Sequence, residues 1–200
     1  MVLQDAIPSA SGDARGLSAF YLAVGWVVGG YLVAAIIGVS NGSVPRTRAR
    51  AGVRLGALAV YAVASGIGGA VITGPVLGVF SGHVWALTGF GALVVFAVGA
   101  ITMALQVWTG LIGIGLAILL FVVLGNPSAG GAYPAPLLPP FWAAIGPWLP
   151  PGAGTDAVRG LVYFDGAGAG RAALVLAVYA AVGLVGTLVG AGRRGATAGA

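Results

Sequence analysis

Thr155, Asp156 and Arg159 bring a hydroxyl, a carboxylate and a guanidinium together within five residues. Thr155 can cap a helix N-terminus, and Asp156 suits the positive end of the helix dipole. Arg159 follows at the three-residue spacing of a helical ion pair. Two readings stay open: a structural cap with its ion pair, or part of a vestibule for a polar substrate. A second charged cluster, Arg46, Arg48, Arg50 and Arg54, follows Pro45 with no acid among it. Arg50 and Arg54 fall on one face of a short helix leading into an apolar run. This cluster reads as a retention signal for the cytoplasmic side or as a docking surface for an acidic groove on a soluble subunit. His83 lies in a short segment beside Trp85 and reads as a surface residue. No serine has a base at its depth. The chain has no lysine for a Walker-type phosphate loop and no cysteine for a thiolate or disulfide. One histidine and four scattered aspartates make no metal-ligand set. The expectation is a non-enzyme with no cofactor and no metal.

Composition explains why chemistry is so sparse. The chain is 59% hydrophobic and 6% charged, with a mean hydropathy of +1.05. Soluble domains carry about 25% charged residues. No charged side chain occurs across residues 55–155. An integral membrane protein in contact with the lipid bilayer is expected. The pI near 10.3 reflects arginines flanking apolar runs rather than nucleic-acid binding.

A spanning helix needs roughly 20 apolar residues. Five are predicted, at about 17–39, 55–80, 84–105, 108–125 and 171–191, giving an all-α fold. The break between the third and fourth is expected at residues 106–110, where Gln106, Trp108 and Thr109 cluster. Pro75 is expected to kink the second span. Arginine placement puts 40–54 and Arg193–Arg194 in the cytoplasm and 126–170 outside. It makes 1–16 a polar external leader and 195–200 a cytoplasmic tail, in the plasma membrane. That leader has neither a basic n-region nor an apolar h-region. An outside N-terminus would suit a chain that is the later part of something larger.

Small-xxx-small spacings occur at Gly25/Gly29, Gly74/Gly78 and Gly186/Gly190. They read as ordinary helix packing, or as a mobile interface or dimer seam. The hydroxyls of Ser65, Thr73, Thr102, Thr109 and Thr187 can line a path or bond their own helix backbone.

Eight of the eleven prolines lie between Pro127 and Pro151. Proline breaks helices, yet Leu137, Leu138, Phe141, Trp142, Ile145, Trp148 and Leu149 are too apolar for a solvated loop. Broken apolar backbone is tolerated at a bilayer where protein or a watery cavity covers it. A re-entrant or interfacial broken helical segment before the last span is therefore expected, beside a pathway.

The run from Asn126 through Gly130-Gly131, Pro134–Pro139 and Leu149-Pro150 to Ala157-Val158-Arg159 resembles the last external segment of ABC-2 type transporter membrane domains. In that family a glycine-containing start, a P-x-x-L-L-P element and an L-P…A-x-R element precede the final span. The closest branch in appearance is the phage-infection-protein (Pip/YhgE-like) one, which Phe20-Tyr21 and Gly29-Gly30-Tyr31 also resemble. The resemblance implies six spans, of which these five match the second to sixth, without the first span and its large external domain. It implies a permease-type exporter subunit, pairing as a homo- or hetero-dimer and driven by a separate ABC ATPase at Arg46, Arg48, Arg50 and Arg54. Substrate would leave past Tyr133, Pro134, Leu138, Pro139, Phe141, Trp142 and Trp148, with Asp156 and Arg159 nearby. The alternative is a non-transporting scaffold, receptor or secretion accessory of the same branch.

Overall fold

The computed structural model describes residues 12–192 except Ala14, Ser81 and Ala132. Among them all regular structure is helical. Arg193 and Arg194, which anchored the predicted inner end of the last span, lie outside the described residues.

Helix α1, Ser18–Asn41, starts where Asp13 supplies acceptors for the free N–H groups of its first turn. Its Oδ1 accepts from the Leu17 and Ser18 amides at 2.9 and 3.0 Å and from the Ser18 hydroxyl at 2.9 Å. Of the predicted polar external leader, residues 1–11 and 14 lie outside the described residues, and the described part includes a carboxylate that is only 4% exposed. Helix α2, Arg48–Val71, starts at Thr47, whose Oγ1 accepts from the Arg50 amide at 3.2 Å. The predicted second span began at residue 55. The helix begins earlier because a cap and three helix-compatible arginines extend it past the apolar run. It ends in a π turn, Ile72–Val76, that contains Pro75, the expected site of distortion.

Helix α3, Val84–Thr109, is the axis of the molecule, and α1, α2 and α8 all pack on it. Close approach depends on glycine. A side chain at Gly91 would strike the Trp26 ring, one at Gly99 would strike Leu58, and one at Gly30 would strike the Val95 backbone. The predicted break at 106–110 falls at its far edge, since α3 continues through Gln106 and stops at Gly110, φ 69°. Gln106 stays helical because its amide is used across the interface. Its Nε2 donates to the Ala34 carbonyl of α1 at 3.1 Å, and Gly38 makes room for its Oε1.

Helix α4, Ile112–Ile118, runs through a π segment, Leu119–Leu124, into the short α5, Gly125–Ser128. A broken stretch follows: a 3-10 turn at Ala135–Leu137, α6 at Pro140–Ile145, and a second 3-10 turn at Gly146–Trp148. Helix α7, Pro150–Tyr163, then leads to the last helix, α8, Ala169–Gly190.

Four helices are long and apolar enough to cross a membrane: Ser18–Asn41, Arg48–Val76, Val84–Thr109 and Ala169–Gly190. Ile112–Ser128 is apolar but shorter. Val60, Ile112 and Leu174 are 73%, 71% and 66% exposed on the bundle surface, an apolar coat that a bilayer would cover. The chain is a helical, multi-pass membrane-embedded protein.

Candidate functional site

The two ends of the bundle differ in chemistry. At one end, the proline end, the broken segment folds onto the starts of α1, α3 and α8. At the other, the arginine end, α1 finishes and α2 begins.

The proline end is assembled by backbone resting on backbone. A Cβ on Gly146 would collide with the Ser128 carbonyl, and one on Gly152 would collide with the Gly146 carbonyl. Gly125 sits against the Pro151 ring and Gly131 against the face of Phe20. Pro150 and Pro151 occupy the first turn of α7, where a missing N–H costs nothing. The first half of α7 is buried, with Gly154 seated between Ala23 of α1 and Val94 of α3. At its end, the Tyr163 hydroxyl donates to Asp13 Oδ2 at 3.0 Å, tying α7 to the start of α1. Neither Asp13 nor Tyr163 was singled out from sequence as a site residue. An aspartate four residues before an apolar run was the available signal for the cap.

Two sequence expectations for this region are corrected. Thr155 caps no helix. It lies buried inside α7 and donates to the Pro151 carbonyl at 2.8 Å, because the helix begins five residues earlier at the proline pair. Asp156 and Arg159 make no ion pair within 4 Å. Arg159 Nη1 donates instead to the Gly130 carbonyl at 2.9 Å, where Gly130 turns at φ 68°. A cavity of about 70 Å³ remains between Ser128, Gly130, Gly146, Gly152, Asp156 and Arg159. Loss of water around Asp156 pushes its carboxyl above the ordinary range, opposed by the charges of Arg159 and Arg171. Arg171 itself lies 4.6 Å over the Trp148 ring.

The remaining predicted pathway residues form an outward-facing flap. Tyr133, Phe141 and Trp148 are exposed, with Phe141 edge-on to Trp142 at 5.1 Å. Pro134 and Pro139 are extended residues before short helices, and Leu138 is half-buried between them.

At the arginine end, Arg48, Arg50 and Arg54 lie on α2 itself, and Arg46 precedes it. Arg54 Nη1 and Nη2 donate to the Gly42 and Asn41 carbonyls, both at 2.7 Å, closing the end of α1. The Gly192 amide donates to the Pro45 carbonyl at 3.0 Å, bringing the end of α8 alongside.

The predicted glycine pairs divide. Gly186 meets Ala104 and Gly190 meets Val107, so both seat α8 on α3. Gly29 meets the Tyr61 hydroxyl. Gly74 sits by Phe80 and Val84, while Gly78 is a turn residue at φ 65°. Gly25 meets nothing within the chain. Thr73, Thr102 and Thr109 each donate to the carbonyl four residues back, at 2.8, 2.8 and 2.7 Å. Those hydroxyls are spent on their own helices. Among the described residues no three of His, Cys, Asp and Glu gather as a metal site. No family model, curated protein or solved structure matches the chain.

Proposed function

We propose that this chain is the permease-type membrane subunit of an ABC-2 type exporter, with Ile112–Ser128 counted as the fourth of five crossings. The observation that carries the reading is α7, a short helix that follows the broken segment and packs against α1, α3 and α8 just before the last apolar helix. A helix seated in this way can be moved as a unit. Its glycine contacts leave few side chains to disentangle. In this reading the N-terminus is outside and substrate leaves past the flap of Tyr133, Phe141, Trp142 and Trp148. Asp156 and Arg159 line the small space beneath. Two membrane subunits pair along open small-residue faces such as that of Gly25. A separate ATPase engages Arg46, Arg48, Arg50 and Arg54 and supplies the energy, so the chain performs no covalent step.

One observation favours the second reading, a non-transporting scaffold. The space at the proline end is about 70 Å³, whereas ligand sites are typically about 300–1,000 Å³. An exporter must therefore open this end or build its path between two subunits.

The test is purification from native membranes into nanodiscs, followed by measurement of ATP hydrolysis. The exporter reading expects a stoichiometric ATP-binding protein whose activity falls in R46Q/R48Q. A chain that carries no ATPase activity sinks it and leaves the scaffold. Orientation is checked separately by single cysteines at Ser43 and at Ala135, which is exposed on the broken segment, with an impermeant thiol reagent. Labelling at 135 and not at 43 is expected.

A further inference from the structure

A groove of about 390 Å³ opens between α1 and α2 at the arginine end. Its α2 wall is Arg50, Val53, Arg54 and Ala57, one helical face by spacing, and its α1 wall is Ile37 and Asn41. The groove exists because α1 and α2 each lean on α3 and meet one another far less.

Its chemistry is graded along the helix. Arg50 and Arg54 occupy the first two turns of α2, and Ala57 lies about 10 Å beyond Arg50 at ~1.5 Å per residue. Val53 lies between the two arginines and Val60 continues the apolar face beyond Ala57, each 73% exposed. The Arg54 fork is already fixed by the carbonyls of Asn41 and Gly42, both at 2.7 Å. Those two bonds leave its Nε–H and one N–H on each terminal nitrogen for another acceptor. The Arg50 side chain makes no hydrogen bond or ion pair among the described residues. The start of α2 adds the positive end of a helix dipole.

Among the described residues no carboxylate neutralises this end. The described carboxylate side chains are Asp13, Asp156 and Asp165, all at the proline end. The counter-charge for Arg50 and Arg54 must come from outside the described residues. It must arrive with an apolar portion that covers Val53 and Ala57.

We propose that this groove binds an anionic phospholipid, its phosphate held by Arg50 and Arg54 and its chains laid along Ile37, Val53 and Ala57. Basic pockets between membrane helices are suited to such headgroups. A free phosphate would leave the apolar wall bare. An acidic protein surface would meet Arg46 and Arg48 as readily, and these lie outside the groove. The bound lipid bridges α1 and α2 where they touch least. A lipid bound there narrows the ATPase contact proposed above from four arginines to Arg46 and Arg48.

The full-length chain is reconstituted in nanodiscs of phosphatidylcholine with phosphatidylglycerol, released, and examined by native mass spectrometry. One retained phosphatidylglycerol is expected. R50Q, which breaks no bond within the chain, lowers retention about fivefold, the contribution of one basic group near a headgroup. V53W fills the apolar floor while keeping every arginine and also lowers retention. R46Q/R48Q retains lipid as the unaltered chain does, and added inorganic phosphate does not displace it. Full retention in R50Q or V53W overturns the proposal. So does an equal loss in R46Q/R48Q, which would mean diffuse charge attraction, or displacement by inorganic phosphate. No ATPase is present in this measurement, so its result stands apart from the exporter reading.

Discussion

The proline end and the arginine end carry similar numbers of cations but use them differently. At the proline end Arg159 is bonded to the Gly130 carbonyl and Arg171 lies on Trp148, with Asp156 close by. Its polar groups hold the broken backbone together. At the arginine end Arg54 is, among the described residues, the one cation used internally, and Arg46, Arg48 and Arg50 are exposed. One end spends its charge on its own architecture and the other presents charge outward. Substitutions at the first should therefore act on stability, and those at the second on association.

The sharpest test of that contrast is steric. Alanine at Gly146 or Gly152 drives a methyl into a carbonyl, of Ser128 or of Gly146 respectively. Each should lower stability by about 3 kcal/mol, the upper part of the range for overpacking. Thermal unfolding in detergent checks this against Gly25→Ala, which meets nothing and should be neutral or slightly stabilising. Equal behaviour of all three would remove the case for backbone-on-backbone packing at this end.

A smaller effect is expected at the clamp between α1 and α7. Asp13→Ala removes three bonds at the start of α1 and the Tyr163 contact, and should cost about 2 kcal/mol by the loss of a cap. Of these four contacts Tyr163→Phe removes the last, and should cost about 1 kcal/mol. If Tyr163→Phe matched Asp13→Ala, the carboxylate would matter as a tether and not as a cap.

Asp156 provides a pH signature. Its native carboxyl is raised above the ordinary value of 3.8, so the folded chain holds that proton where the unfolded chain has released it. By linkage, its contribution to stability falls as pH rises through that window and is most favourable below it. Asp156→Asn should flatten this part of a melting-temperature profile. A profile unchanged by the substitution would show that the neighbouring arginines cancel the loss of water.

The smallest effect belongs to the arginine end. Arg48→Gln and Arg50→Gln should change stability by no more than about 0.5 kcal/mol, as exposed charges without partners do. Their consequences should appear in salt-sensitive association instead. A large loss of stability in either would erase the distinction between the two ends.

How much was legible beforehand differs between the two regions. The four long apolar helices could be read from residue 18 onward, since a bilayer demands unbroken apolar length. The distortion at Pro75 and the broken helices around Pro134–Trp148 follow from proline, which acts locally. The boundaries at Arg48 and Gly110 were displaced because polarity was taken as a helix end. A capped arginine turn and a buried Gln106 both continue the helix. In the candidate site, the participation of Arg159 was legible and its partner was not.

What the amino-acid sequence determined by itself is the membrane class, the absence of charge over residues 55–155, and the two chemically distinct clusters at Arg46–Arg54 and around Pro127–Arg159. These depend on composition and on proline and glycine, whose effects need no neighbours. Only the tertiary structure decided which glycines are contacts. Gly30, Gly91, Gly146 and Gly152 are packed to the backbone or an aromatic ring and Gly99 to Leu58, while Gly25 is open. It alone joined Asp13 to Tyr163, Arg159 to Gly130 and Gln106 to Ala34. Such pairs are set by helix rotation and crossing over distances of tens of residues, and no local pattern records them.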